Sequence, residues 1–235
     1  MFRFQQFTVL QENAAMKVGT DGVLLGAWTP VDHQPVKILD VGTGTGLVAL
    51  MLAQRTQNAM IDAVEIDDAA CLDADANFEA SPWSDRLYLH HTSLQDFAES
   101  NPSSYDLIVS NPPFFSGSMK NPNQRKAVAR HNGGLSHEDL VSGVLKLLSK
   151  QGRFSVILPL EDYNVFRFKA ARSGLFESQR LEVSPNPGKP VKRVISEWIR
   201  AAVSAPNIER IDIEELRHKY TPGFKNIVSG FYLAF

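Results

Sequence analysis

At 235 residues, with 43% hydrophobic and 21% charged side chains, the chain has the makeup of a packed globular protein rather than a disordered one. A net charge of −2 advertises no polyanion-binding body, and the lone Cys71 excludes an intrachain disulfide and any cysteine-based zinc cluster. The longest apolar run, Leu47 to Ala53, falls far short of the roughly 18 residues of a membrane span, and Met1–Gln6 lacks a signal peptide's apolar core, so a cytoplasmic protein is expected.

Residues 1–35 carry no strong period. Phe4, Phe7 and Val9 suggest a brief extended piece, and Asp21–Trp28 a short apolar helix capped by Thr20 or Asp21. Pro30 and Pro35 bracket a turn, and from there strands and helices alternate. Val36–Val41, Met60–Ile66, Arg86–His91, Tyr105–Ser110 and Arg153–Leu158 read as strands. Thr45–Arg55, Asp67–Ala80, Leu94–Ala98, His137–Leu148 and Asp162–Arg172 read as the helices between and after them. Asp67 and Ser136 are expected caps, and Gly152 and Gly174 expected stops. Such alternation predicts a mostly parallel, doubly wound α/β sheet. The style then changes. Glu177–Val183 and Arg193–Val203 are both strand-like, and the gap between them is too short for a helix, which predicts an antiparallel hairpin. Ile211–Ile213 is expected as an edge strand, Pro222–Val228 as a helix and Phe231–Phe235 as a closing strand. No repeat or second domain is evident, so one domain over residues 1–235 is expected.

Between the first core strand and its helix stands Asp40-Val41-Gly42-Thr43-Gly44-Thr45-Gly46. Glycine at alternate positions lets a ligand lie against bare backbone. The spacing differs from the Gly-x-Gly-x-x-Gly of pyrophosphate binders, which disfavours a nicotinamide-dinucleotide enzyme. Glu65 ends the next apolar run, 19 residues after Gly46, where a carboxylate at the tip of the second strand would grip a ribose diol. Glycine turn, flanking pattern and acid together resemble the S-adenosylmethionine (SAM) site of the Rossmann-like methyltransferases.

Asn111-Pro112-Pro113-Phe114 follows the fourth strand, at the carboxyl end where open α/β sheets bind ligands. The prolines stiffen the backbone and remove two N–H donors. What remains is an acceptor surface, the Asn111 side-chain carbonyl and the Pro112 main-chain carbonyl, beside an aromatic face. That set suits a planar group bearing an NH2. Two hydrogen bonds from such an amine favour a pyramidal nitrogen with its lone pair aimed at a methyl donor, with no need for a metal or a covalent nucleophile. Two loops are rich in base and free of acid: one carries Lys120, Arg125, Lys126 and Arg130, the other Lys189, Lys192 and Arg193. In a slightly acidic protein they point to an anionic partner.

Asn-Pro-Pro-Phe/Tyr is the catalytic motif of methyltransferases acting on the NH2 of adenine, guanine or glutamine. The segment Lys17–Trp28 and the closing Phe231–Phe235 resemble those of the tRNA1(Val) adenine-37 N6-methyltransferase family, and the resemblance covers essentially the whole chain. It implies a class I fold, with a seven-stranded sheet finished by an antiparallel hairpin, and residues 1–35 closing the pocket ahead of a core at 36–235. It implies SAM as cofactor, with Asp40, Gly42, Gly44 and Gly46 along its methionine part, Glu65 at the ribose and Asp96 near the adenine amine. Thr20 and Asp21 would close the pocket, and Asn111, Pro112 and Phe114 would be catalytic. The partner implied is tRNA, met by the two basic loops, with no obligate protein partner. His90 and His91 point to opposite faces of a strand and receive no role. A protein glutamine methyltransferase would carry a helical recognition domain, for which the 35 residues before the first strand are too few. An rRNA guanine N2-methyltransferase or, less favoured, a protein glutamine N5-methyltransferase, and an inactive SAM-fold binding module, remain as alternatives.

Overall fold

Strands that are apolar on both faces need a helical layer on each side. The computed structural model, which describes residues 1–102, 104–113 and 135–233, meets that need around one eight-stranded sheet. A two-stranded ribbon, β1 (Phe2–Arg3) and β2 (Thr8–Val9), comes first, followed by helix α1 (Thr20–Trp28). Next come β3 (Lys37–Val41), α2 (Leu47–Arg55), β4 (Met60–Glu65) and α3 (Asp68–Glu79). The run continues through β5 (Leu87–His91), α4 (Leu94–Ser100), β6 (Tyr105–Ser110), α5 (His137–Leu147), β7 (Leu148–Pro159) and α6 (Leu160–Arg172). The C-terminal part holds β8 (Phe176–Ser184), β9 (Arg193–Ile199), β10 (Asn207–Asp212), the ribbon β11 (Glu214–Leu216) and β12 (Lys219–Tyr220), and α7 (Pro222–Val228).

The strand order is β10-β8-β9-β7-β6-β3-β4-β5. Every pairing in this sheet is parallel except those of β9, which runs antiparallel to both β7 and β8. Side-chain alternation then sorts the core. Ile38, Ile61, Leu107 and Val109 face α1, α2, Phe78 of α3, and α7. Leu39, Val41, Ile108 and Val156 face α4, α5 and α6 on the other side. The order reverses between β3 and β6, and a crevice opens beyond their carboxyl ends.

Two features hold the N-terminal segment over that crevice. Gly22 and Gly26 share one face of α1; a Cβ on Gly26 would lie 2.7 Å from the Met51 sulfur, so these glycines let α1 lie directly on α2. Arg55 locks the pair by donating to Gly26 O at 2.8 Å and Thr29 O at 2.7 Å. Gln5 donates through Nε2 to Ser229 O and Tyr232 O, while Phe4 stacks on Tyr232 at 6.0 Å. The start of the chain is thereby anchored to a segment some 225 residues further along.

The sheet carries one strand more than the expected seven. The expected edge strand is β10, which starts earlier than anticipated and pairs parallel to β8. Gly152 is no helix stop. α5 ends at Leu147 and the chain enters β7 without a loop; Gly152 sits inside that strand, where a Cβ would lie 2.8 Å from Tyr105 O. β9 ends at Ile199 rather than 203, because Arg200 turns to donate to Leu145 O and Leu148 O. Residues 231–233 form no strand, and 234–235 lie outside the described residues. Asp67 and Ser136 do cap their helices, through Ala70 N and Asp139 N. Gly174, at φ +89°, follows the end of α6. No described helix is long and apolar enough to cross a membrane.

Candidate active site

The loop after β3 has its shape because three glycines occupy the left-handed region, Gly42 at φ +67°, Gly44 at +58° and Gly46 at +81°. Two carboxylates fix it. Asp40, only 1% exposed, accepts from Thr43 Oγ1 at 2.6 Å and from Ala49 N at 3.1 Å, joining the loop to α2. Burial pushes its pKa up to about 7, against the pull of those two hydrogen bonds. Glu65, at the tip of β4, accepts from Gly44 N at 2.8 Å through one oxygen. Its other oxygen accepts from Ile66 N at 2.8 Å and Asp67 N at 3.0 Å. Gly42 N and Thr43 N both donate to Val64 O, which closes the loop onto β4.

Two adjoining cavities lie over this loop. One, of about 380 Å³, is lined by Lys17–Gly22, Asp40, Gly42–Thr45 and Leu47. The other, of about 430 Å³, is lined by Glu65–Asp67, Thr92–Gln95, Pro112 and Pro113. Met16, Gly42, Gly44 and Asn111 line both, so the two form one cleft pinched between the glycine loop and residues 14–19. A Cβ at Gly42 or Gly44 would meet nothing within 4 Å, which leaves bare backbone along the floor. The N-terminus of α1 also opens here: Gly19 is its N-cap, and no side-chain cap bond is present among the described residues. Helix amides of that kind attract an anionic ligand group. Asn111 Oδ1 is buried and has no hydrogen-bond partner among the described residues, an acceptor held at the junction of the two cavities.

Asp40, Gly42, Gly44, Glu65, Thr20, Asp21, Asn111 and Pro112 are thus brought together around one cleft. Gly46 is not among its lining residues. A Cβ there would lie 2.5 Å from the Phe78 ring, so this glycine serves helix packing. Asp96 also stands apart: its carboxylate accepts from Ser93 Oγ at 2.7 Å, and its amide donates back to that hydroxyl at the start of α4. Ser93 and Gln95 line the cleft in its place. Neither Thr20 nor Asp21 caps α1, because the Asp21 carboxylate instead takes the Arg193 Nε at 2.8 Å. Phe114, Lys120, Arg125, Lys126 and Arg130 lie outside the described residues. Register puts the other basic loop at the carboxyl end of the sheet, since Pro159 at the end of β7 pairs with Arg193. Lys189 and Lys192 are exposed there, while Arg193 is taken up by Asp21. Arg210, missed by the sequence reading, joins them by donating to Ser184 Oγ and Lys189 O. His90 is held by Asp62 at 2.6 Å, in a network that also takes the Tyr105 hydroxyl, and does not line the cleft.

Sheet order, glycine loop, acid at the second strand tip and an acceptor after the fourth core strand describe a Rossmann-like methyltransferase. Residues 22–156 match the family model described as the methyltransferase small domain. The crystal structure of a predicted O-methyltransferase from Agrobacterium tumefaciens superposes with a TM-score of 0.67 at 17% identity, covering 90% of this chain and 96% of that one, a likeness of fold. Curated relatives narrow the class. The tRNA1(Val) (adenine(37)-N6)-methyltransferase of Flavobacterium johnsoniae is 45% identical over 233 residues, 99% of either chain. The protein of that name from Trichodesmium erythraeum is 45% identical over 236 residues, covering 100% of this chain and 98% of its own. The chain belongs to the tRNA1(Val) (adenine(37)-N6)-methyltransferase family.

Two glycines of the loop, Gly44 and Gly46, separate by experiment. Gly44→Ala will cost the fold about 1–2 kcal/mol of left-handed strain, because its Cβ meets no atom. Gly46→Ala will cost about 1–3 kcal/mol more, from overpacking against Phe78. Urea denaturation of both variants measures the difference.

Proposed function

We propose that this protein transfers the methyl group of SAM to the exocyclic N6 amine of adenine 37 in tRNA1(Val). The observation that carries this reading is Asn111 Oδ1, a buried acceptor without a partner among the described residues, followed at once by a Pro112 that offers a carbonyl and no N–H. A planar amine satisfies such a pair. The names of the curated relatives select adenine over guanine or glutamine.

The residues present fit the cofactor. The bare floor at Gly42 and Gly44 leaves room for it, the uncapped N-terminus of α1 suits its carboxylate, and buried Asp40 suits its ammonium. Glu65 would hold the ribose while keeping the loop in place, and Ile66 and Leu94 offer apolar surface beside it in the second cavity. When bound, SAM supplies an electrophilic methyl group on a sulfonium sulfur. The chain's own part is positioning. Asn111 Oδ1 and Pro112 O would accept the two amine hydrogens, turning the nitrogen lone pair away from the ring and toward the donor. Both acceptors are neutral and cannot keep a proton, so the proton shed by the methylated nitrogen leaves to water. One domain over residues 1–235, with residues 1–35 closing the pocket, completes this reading.

Affinity for tRNA would come from cations at the mouth of the cleft. Lys189, Lys192 and Arg210 sit at the carboxyl end of the sheet, and the loop carrying Lys120, Arg125, Lys126 and Arg130 leaves the chain directly after Asn111-Pro112-Pro113-Phe114. An anticodon loop offers unstacked bases beside dense phosphate, so one base enters the pocket at lower cost than from a duplex. Phosphate contacts would hold the RNA while the pocket selects the atom. The protein would then work in the cytoplasm, with its substrate.

Purified protein and SAM, incubated with tRNA from a strain lacking this protein, should yield N6-methyladenosine by nucleoside mass spectrometry. N2-methylguanosine, or methylated glutamine in protein substrates, would overturn the adenine reading. In the same assay Asn111→Ala should lower kcat by roughly 10²-fold, the scale of losing one oriented transition-state hydrogen bond. Cofactor affinity should stay within about twofold, since cofactor contacts remain.

Asp40 makes a pH-dependent expectation. Its raised pKa, about 7, means that the ligand-free fold favours the protonated acid. That contribution to stability is complete below the ordinary carboxylate range and is lost as pH rises through about 7. A cationic ammonium favours the carboxylate instead. Affinity for S-adenosylhomocysteine should therefore rise with pH through about 7, and binding below that pH should release a proton. Calorimetry in buffers of different ionisation enthalpy reads the proton directly, and no release at pH 6 would remove Asp40 from this role.

A further inference from the structure

The roof of the cleft is not part of the sheet. Residues 14–19 lie over both cavities, with Met16, 52% exposed, at the point where the two meet. What holds this segment is α3. Asp73 and Asn77 stand four residues apart and share a face of that helix, in line with Ala70, which lines the second cavity. Both side chains are buried, Asp73 3% and Asn77 1% exposed. Asp73 Oδ2 accepts from Asn13 N at 3.0 Å and from Ala14 N at 2.7 Å, and Oδ1 accepts from Asn13 Nδ2 at 2.8 Å. Asn77 Oδ1 accepts from Leu10 N at 2.7 Å, and its Nδ2 donates to Leu10 O and to Thr45 O, both at 2.9 Å. One amide thus joins the roof segment to the glycine loop beneath it. Gln11 turns the segment back, accepting from Val18 N at 2.6 Å through its side chain and from Lys17 Nζ through its carbonyl.

A carboxylate this buried is costly to keep unless it is paired. Asp73 is paired with three N–H donors, all on Asn13 and Ala14, so its burial is compensated by the segment it holds. We propose that Asp73 and Asn77 are positioning residues that clamp residues 10–14 to α3, and so hold residues 14–18 as a preformed roof over the methyl-donor cleft. This rests on the cofactor reading above. Without the clamp the roof opens, the binding-competent fraction falls, and the apparent dissociation constant rises by the inverse of that fraction. The chemical step is untouched, because neither residue reaches Asn111, and Asp73 bonds to Asn13 and Ala14 rather than to the glycine loop.

The test uses the full chain and S-adenosylhomocysteine as probe. Asp73→Ala should raise the Kd for it, and the KM for SAM, by about tenfold, a tenth of the molecules keeping the roof in place, with kcat at saturating SAM within about twofold. Asp73→Asn should restore affinity: its carbonyl takes both backbone N–H groups, and its NH2 donates to an Asn13 amide turned over to offer its oxygen. A lowered melting temperature with unchanged Kd, or an Asp73→Asn variant as weak as Asp73→Ala, overturns the clamp. Should Asp73→Ala fail to fold, hydrogen exchange on the unaltered chain decides, since bound S-adenosylhomocysteine must slow the amides of residues 13–18. Exchange there unchanged by ligand overturns the inference. An unaltered chain that binds no S-adenosylhomocysteine overturns the cofactor reading itself, a result distinct from a variant that binds as well as its parent.

Discussion

Two carboxylates hold a backbone that side chains forbid. The turn from β3 into α2 runs through three left-handed glycines, and by itself it would have many conformations to choose from. Asp40 takes the Thr43 hydroxyl and the Ala49 amide from one side, and Glu65 takes the Gly44 amide from the other. The first bond set ties the turn to its own helix, the second to the neighbouring strand. Everything that faces the cleft is referred to this turn: Asn111 across from it, the N-terminus of α1 beside it and the roof segment above it.

The helices around the turn have divided duties. α2 supplies an apolar surface on which α1 lies without intervening side chains, because Gly22 and Gly26 present none. α3 is more versatile: Asp67 caps it and lines the cleft, Phe78 supports Gly46, and Asp73 and Asn77 hold the N-terminal segment. The hairpin β8–β9 carries its loop to the same end of the sheet, where Arg193 meets Asp21 of α1. An ion pair therefore joins the β8–β9 hairpin to the helix that opens onto the cleft.

Much of this was legible in the chain. β6 and α7 match their expected bounds because local signals agree there: an apolar run stopped by Asn111-Pro112, and Thr221 as a cap ahead of Pro222. The glycine turn, Glu65 and Asn111 were legible because their chemistry is packed into short motifs at strand ends. What escaped was non-local. Gly152 looks like a helix stop, yet the constraint on it comes from Tyr105 O on a neighbouring strand. β10 pairs directly and in parallel with β8, although β9 comes between them along the chain, with no local signal to announce its partner. Asp73 and Asn77 read as polar positions on a helix surface, and only the path of residues 10–14 makes them interior. Asp96 illustrates the other side of this: the acid stands in the expected place, and its carboxylate takes the Ser93 hydroxyl at the start of α4.

The anchoring of Gln5 to Ser229 and Tyr232 has a consequence for synthesis. A chain leaving the ribosome can pair β3, β4 and β6 as soon as they emerge, because their contacts span modest separations. The β1–β2 ribbon can settle only in part so early: Phe7 can meet Trp83, but Gln5 and the Phe4–Tyr232 stack wait for residues more than 220 positions later. The Gln5 anchor is thus among the last contacts to settle. The glycine turn and the α3 clamp on the roof have their partners early, so a nascent chain would hold the floor and roof of the pocket before the ribbon beside them had its anchor.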